Sequence, residues 1–335
     1  MMRAVVLVGG FGTRLRPLTY SVPKPMLTVG HVTIIERLVA NLVRGGVTDV
    51  TLALGFKPEP FLEAFPDGTC AGAELHYAVE PEPLDTAGAI RFAADATGID
   101  ETFVVANGDV LTDLDIAALV DFHRATEAEA TLHLIAVDDP SAFGVVALDD
   151  HARIERFVEK PAPGTAPSNL INAGTYVLEP SVLAGIPAGQ KVSIERVTFP
   201  TVVARGSIFG MATDDYWIDT GKPDLYLTAN LDLVTGRRPR HACLPVADGA
   251  DVHPDAVVIH SVVDAGAVVH AGARVERSVI LAGAVVDQDA VVSGSVVMGH
   301  VRSGGSLTDS VLGAGAVVHR DERLRDVRRP DPDQG

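Results

Sequence analysis

Cysteine is nearly absent: Cys70 and Cys243 are the only two in 335 residues. Two thiols cannot build a disulfide framework or a cysteine-rich zinc site. A reducing, cytoplasmic setting fits that scarcity. No apolar run approaches the roughly 18 residues of a membrane span. The stretch Ala4 to Val8 is shorter than a signal-peptide core and runs into glycine and arginine, so no export signal is read. Positive charge is also in short supply. Lys and Arg number 27 against 44 Asp and Glu, a formal charge of −17. That balance disfavours nucleic acid and anionic membrane as partners. Disorder is excluded by 47% hydrophobic and 21% charged residues, values of a chain with a filled core. The length suits two domains, or one large domain with an appendage.

Acid is missing altogether from residues 1–35, which hold Arg3, Arg14, Arg16 and Lys24. A small cationic island in an acidic chain suits a compact anion, such as a nucleotide phosphate.

The first 235 residues alternate strand-like and helix-like segments. Arg3 to Val8 is a β-branched apolar run ending in glycines, as a buried strand would. Further strands are expected at Val50–Leu54, Leu75–Val79 and Thr102–Ala106. Helices are expected at Ile34–Val43, Pro58–Phe65, Thr86–Ala96 and Leu114–Arg124. Thr33 to Glu36 matches a capping box. This alternation predicts a mostly parallel sheet with helices on both faces, and ligands at the carboxyl ends of its strands.

Beyond Thr235–Arg240 the texture changes. Aliphatic residues recur at Val252, Val258, Val263, Val269, Val275, Ile280, Val286, Val292 and Val297. Every third one is 17 residues on, which describes a triangular solenoid with one inward side chain per face. Ala265, Gly266, Ala282 and Gly283 suit its corners. Leu312 and Val318 resume the pattern after an irregular stretch. Residues 320–335 are charged and proline-containing, and a disordered tail is expected there.

The segment with most chemistry is Leu7-Val8-Gly9-Gly10-Phe11-Gly12-Thr13-Arg14-Leu15-Arg16-Pro17-Leu18-Thr19, followed by Pro23-Lys24-Pro25-Met26. Glycines let backbone amides converge into an anion-binding nest. Arg14 and Lys24 add full charge. It is neither GxGxxG, since Leu15 stands where the third glycine would fall, nor a P-loop, since it lacks Gly-Lys-Ser/Thr. The plain alternative is a tight turn with solvated arginine.

This segment resembles the signature of sugar-1-phosphate nucleotidylyltransferases, approximately GGxGTRLxPLT…PKPM. The resemblance extends through residues 3–235. Glu80 to Gly88 resembles the base-binding loop. Asn107-Gly108-Asp109 resembles a first metal site, and Tyr216 to Pro223 a second. Phe143-Gly144-Val145, Val158 to Pro161, Asn172 to Tyr176 and Ser193-Ile194-Glu195 resemble sugar-side motifs. The implied fold is α/β: a Rossmann-like, doubly wound mixed sheet of the nucleotide-diphospho-sugar transferase type over residues 1–236. A short left-handed parallel β-helix would follow over 237–319. The handedness comes from the resemblance, not from the spacing.

The resemblance also implies the chemistry. A sugar 1-phosphate attacks the α-phosphorus of a nucleoside triphosphate and pyrophosphate leaves, with Mg²⁺ as cofactor; GTP and mannose 1-phosphate are the implied pair. Arg14 and Lys24 are the implied catalytic cations. Leu7, Gly9, Gly10, Gly12, Thr13, Arg14, Lys24, Glu80, Pro83, Asp85, Ala87, Gly88 and Asp109 would hold the nucleotide. Gly144, Glu159, Lys160, Asn172, Gly174, Tyr176 and Glu195 would hold the sugar phosphate. Asp109 and Asp219 would bind the metal through carboxylates, as Mg²⁺ usually is. Asp113 and Asp115 read as caps or surface residues, and Trp217 as a packing residue. Histidines His253, His260, His270, His300 and His319 in the solenoid read as exposed, although hexapeptide solenoids also occur in acyltransferases.

Asp85 departs from the guanylyltransferase pattern, which has glycine there. It either caps the following helix or, with Glu80, accepts from the guanine N1–H and 2-amino group. Other nucleotides with glucose 1-phosphate, an unusual sugar-like phosphate, and a non-catalytic regulatory subunit stay open as alternatives. A homo-oligomer is expected, assembled or packed through the solenoid.

Overall fold

The computed structural model describes residues 2–10, 12–55 and 58–332. Its backbone divides into two units, not at the expected boundary near 236. One unit is Met1–Gly10 with Ile35–Trp217, the other Phe11–Ile34 with Ile218–Gly335. The cationic signature thus groups with the solenoid.

In the first unit the strands are β1 (Met2–Leu7), β2 (Val47–Leu54), β3 (Ala73–Val79), β4 (Phe103–Asn107), β5 (Ala130–Ala136), β6 (Gly144–Leu148), β7 (Ile154–Glu159), β8 (Leu170–Leu178) and β9 (Ile208–Thr213). They form one sheet ordered β7-β6-β8-β4-β1-β2-β3, with β5 paired to β8 and β9 paired to β5. β1 is parallel to both β2 and β4, while β8 runs antiparallel to β4. The chain builds outward from β1 to β3, then returns to the other side of β1 as β4. That reversal is a topological switch point, where open α/β sheets bind ligands. Ala4, Val5, Val6, Val104 and Val105 are fully buried. With helices on both faces, central strands read as continuous apolar runs.

The helices α1 (Ile34–Arg44), α2 (Asp85–Thr97) and α3 (Ile116–Ala125) fall where the periodicity put them, within two residues at each end, and α4 (Phe199–Arg205) was not expected. Asp115 caps α3, accepting from the Ala118 amide at 3.1 Å. β8 changes register between Asn172 and Tyr176. The displaced Ala173 carbonyl takes the Trp217 indole N–H at 2.8 Å, and that ring meets Phe143 edge-on at 5.7 Å. Among the described residues no helix is long and apolar enough to cross a membrane.

In the second unit α5 (Pro223–Val234) precedes three parallel ladders of five strands each. They are consistent with a left-handed β-helix. The first ladder joins Asp251–Val252, Val268–Val269, Val285–Val286, His300–Val301 and Val317–Val318. Val263, Val269, Val275, Ile280, Val286, Val292 and Val297 are 1% exposed or less. Val252 and Val258 point the same way but stay half-buried in the first coil, which has a neighbour on one side only. The irregular stretch is a shortened corner. Met298–Gly299 replaces the four-residue corner 281–284, so the next inward residues are Val301, Leu307, Leu312 and Val318.

The expected disordered tail is a correction. Arg323–Arg325 and Arg328–Arg329 form the last strands of two ladders. Leu324 and Val327 supply the inward side chains, while the charges face outward. Glu322 receives both prongs of Arg329 at 2.8 and 3.0 Å. These bonds hold its carboxyl down at about 2. Only 333–335 of that stretch lie outside the described residues.

A buried serine column runs up one corner. Ser261, Ser278, Ser295 and Ser310 each donate to the carbonyl two residues back, at 2.6–2.8 Å. Each also accepts the amide of the residue above at 3.1 Å. Backbone groups that a turn would otherwise bury unpaired are satisfied in this way.

Candidate active site

The signature begins with a turn at Gly12, whose φ of +58° favours a residue without Cβ. Its carbonyl accepts from the Thr19 hydroxyl at 2.8 Å. The short 3-10 turn Thr13–Leu15 follows and projects Arg14, 60% exposed. Lys24 opens a second turn and is buried. Its Nζ lies 3.3 Å from Asp219 Oδ1, and Arg14 Nη2 lies 3.7 Å from Oδ2. The Gly221 amide donates to Asp219 Oδ1 at 2.8 Å. Residues 14, 24 and 219 thus converge, with the expected metal carboxylate between two cations. Gly221 was not anticipated. A Cβ there would stand 2.6 Å from Arg14 Nη2 and 2.8 Å from Asp219 Oδ1, so the pair packs directly on its backbone.

The other residues expected on the nucleotide side lie in the first unit. Leu7 ends β1 between Ala53 and Asn107, and its carbonyl accepts the Gly108 amide at 2.9 Å. Gly9 lies against Gly55, and Gly10 is exposed with open space where a Cβ would go. Asp109 is half-buried in the turn after β4, at the carboxyl edge of the sheet.

In the expected base loop the roles separate. Glu80 is buried; its Oε2 accepts the Leu84 amide at 2.8 Å, and burial pushes its carboxyl up. Pro83 and Asp85 are exposed. Ala87 and Gly88 are buried and donate their amides to the Val192 carbonyl. Asp85 takes φ +59° and accepts only the adjacent Thr86 amide at 2.8 Å, which is not the N2 or N3 bond of a helix cap. The glycine in the family pattern is explained by that left-handed backbone.

The residues expected on the sugar side form one cluster. Glu195 is the second residue of a π-helical turn, Ile194–Thr198, a distortion frequent at functional sites. Its Oε2 accepts the hydroxyls of Thr86 and Ser193, both at 2.8 Å. Glu159 pairs with Lys160 Nζ at 3.5 Å. Burial, and then the neighbouring Glu195 charge, raise the Glu159 carboxyl above the usual range. Tyr176 is fully buried and its hydroxyl accepts from Asn172 at 3.1 Å. Burial pushes its ionisation far up, so it acts as a neutral hydrogen-bonding post. Gly174, at φ +80°, packs on Asn107, and Gly144 on Phe157 and Glu159. Thr86, Ser193 and Asn107, which contact this cluster, were not singled out in the sequence. They stand inside the motifs quoted for their neighbours, the only signal available.

Comparison with known proteins identifies the family. Residues 3–236 match the nucleotidyl transferase family. A mannose-1-phosphate guanylyltransferase of Mycobacterium tuberculosis is 42% identical over 268 residues, 78% of this chain and 74% of the relative. A mannose-1-phosphate guanyltransferase of Yarrowia lipolytica is 37% identical over 77% of this chain and 68% of its own. Among solved structures, HddC from Yersinia pseudotuberculosis is similar with a TM-score of 0.59 and 28% identity, covering 69% of this chain and 98% of its own. The same protein has been solved complexed with GMP-PN. With its signature, switch-point sheet and these relatives, the chain belongs to the nucleotidyl transferase family, among the sugar-1-phosphate nucleotidylyltransferases.

Proposed function

We propose that this chain transfers a guanylyl group from GTP to mannose 1-phosphate, forming GDP-mannose and pyrophosphate. A phosphate oxygen of the sugar forms a bond to the α-phosphorus, and the bond from that phosphorus to the bridging oxygen breaks. Pyrophosphate carries away the electron pair. Both reactants are polyanions, so positioning and charge neutralisation dominate. The attacking phosphate, with a second pKa of about 6, needs no base.

The observation that carries the reading is the convergence of Arg14 and Lys24 on Asp219 beside the glycine turn. Lys24, buried, and Arg14, exposed at its tip, oppose the triphosphate charge and that of the leaving pyrophosphate. Glu159 and Glu195 accept sugar hydroxyls, and Lys160 faces the sugar phosphate. Tyr176 and Asn172 orient that cluster. GTP and mannose 1-phosphate are supported by the relatives that bear that name.

Asp109 and Asp219 are proposed to hold Mg²⁺. Both offer hard oxygen donors, and Asp219 Oδ2, at 3.7 Å, is beyond hydrogen-bond distance of Arg14, so a cation can share it. The bound ion would neutralise charge on the phosphate oxygens. A cytoplasmic location and self-assembly through the solenoid complete the proposal.

The test is a matrix of GTP, ATP, UTP and dTTP against mannose and glucose 1-phosphates, scored by pyrophosphate release. GTP with mannose 1-phosphate should be the fastest pair. A preference for dTTP or UTP with glucose 1-phosphate would overturn the substrate assignment. Silence in every pair would favour a regulatory subunit.

A further inference from the structure

The last coil of the β-helix touches the signature segment at three points, all within the second unit. Arg328 Nη1 donates to the Arg14 carbonyl at 3.1 Å. Gly313 lies against Pro17, so closely that a Cβ would stand 2.8 Å from Pro17 Cβ. The Tyr20 hydroxyl donates to the Pro332 carbonyl at 3.1 Å.

These contacts bracket the residue that matters most. The 3-10 turn Thr13–Leu15 is three residues long. So short a turn has no helical run to stiffen it. Where Arg14 points depends on where its own backbone is held. Its carbonyl is held by a guanidinium, a charge-assisted donor stronger than a neutral one. Pro17, three residues on, rests on the Gly313 backbone. The coil that provides both contacts is itself pinned by the two-pronged Arg329–Glu322 pair.

We infer that Arg328 is a positioning residue for Arg14: the final coil of the β-helix sets the direction of the catalytic arginine through the Arg14 carbonyl, with Gly313 as the floor under Pro17. Nucleotidyl transfer then depends on a fully wound solenoid although no solenoid side chain touches the reacting atoms. The inference rests on the proposed role of Arg14 on the phosphates.

The experiment compares Arg14→Ala, Arg328→Met, Arg328→Lys and the double variant Arg14→Ala with Arg328→Met in steady-state assays of the full chain. Arg323→Met is the control, an exposed arginine on the same coil in a different ladder. Arg328→Met should lower kcat about five- to tenfold with the KM for the sugar phosphate unchanged. Arg328→Lys should restore part of the loss, and Arg323→Met should match wild type. The double variant should be no slower than Arg14→Ala, because Arg328 acts only through Arg14. The melting temperature should be the same for Arg328→Met and Arg323→Met.

If Arg14→Ala itself keeps kcat within twofold, the role of Arg14 is wrong and the inference falls with it. If Arg14→Ala is impaired and Arg328→Met is not, the positioning role alone is refuted. Multiplicative losses in the double variant, or a loss in Arg323→Met as well, would reduce Arg328 to a structural residue. Gly313→Val gives a second lever. It should push on Pro17 and lower kcat without a change at Arg328, and unchanged kcat would remove the floor from the scheme.

Discussion

Replacing Gly221 by alanine is the sharpest test of the cation cluster. The new Cβ would stand 2.6 Å from Arg14 Nη2, 3.1 Å from Arg14 Cζ and 2.8 Å from Asp219 Oδ1. Ordinary contact begins near 3.4 Å, so the Arg14 tip has to retreat by about 0.8 Å and Asp219 Oδ1 by about 0.6 Å. Gly221 is not among the residues with positive φ, so alanine meets no backbone strain. It even narrows the unfolded ensemble, worth ~0.4–1 kcal/mol of stability. The exposed tip of Arg14 moves at little cost, and the fold should not notice. Catalysis should. A misplacement near 1 Å can cost on the order of a hundredfold. We expect kcat to fall about ten- to a hundredfold, or ~1.4–2.7 kcal/mol of barrier. The KM for the sugar phosphate should stay level. The assay is pyrophosphate release at saturating substrates, alongside a thermal melt. A kcat within twofold of wild type would show that Arg14 does not act from this position. A large fall in melting temperature would show that the backbone yielded instead of the side chain.

Asp85→Gly should leave base preference unchanged and stability within ~1 kcal/mol, whereas Asp85→Val should lose ~1–2 kcal/mol by forcing a β-branched residue to positive φ; competition among GTP, ATP, UTP and dTTP and urea melts check this, and a changed base preference in Asp85→Gly would revive Asp85 as a reader. His133 is fully buried, with Nε2 at 2.9 Å from Thr213 Oγ1, and burial pushes it down to about 4. Between ~6.5 and ~4 the unfolded chain binds a proton that the native chain refuses, so stability should drop as pH falls through that window, by up to ~3 kcal/mol. Urea midpoints at pH 7 and 5 should show a steeper slope in wild type than in His133→Gln, where buried His123, also pushed down by burial, keeps a part of it; an equal slope in both would assign it elsewhere. Ser278→Ala removes the partner of the Ser295 amide and one of two donors to the Glu276 carbonyl, which keeps the Gly294 amide at 3.0 Å, and should cost ~1–3 kcal/mol. A loss below ~1 kcal/mol would mean that the serine column is dispensable.

The elements most legible in the sequence were those set by local pattern. The strand Met2–Leu7 is central, and Ala4, Val5 and Val6 are buried on both faces, so the apolar run from Ala4 to Val8 is unbroken. The 17-residue repeat exposed the solenoid because each coil repeats the same inward positions. The tail was misread because its charge density outweighed Leu324 and Val327, the only two inward residues of that coil's end. The serine column at 261, 278 and 295 has the same spacing as the aliphatics. A buried serine, however, looks like a surface one until its amide partner is placed above it.

By itself, the sequence determined which residues carry charge and where the backbone must turn. Arg14, Lys24 and Asp219, the glycines and the repeat are all properties of composition and spacing. Only the tertiary structure decided their partners. That Lys24 lies 3.3 Å from Asp219 joins residues 195 apart, and no local pattern encodes such a distance. That Asp85 sits at φ +59° depends on how Leu84, Ala87 and Gly88 bond to Val192. That Arg328 reaches the Arg14 carbonyl depends on five coils stacking in register. Long-range contacts belong to the folded chain, because their geometry is the sum of every turn between the two partners.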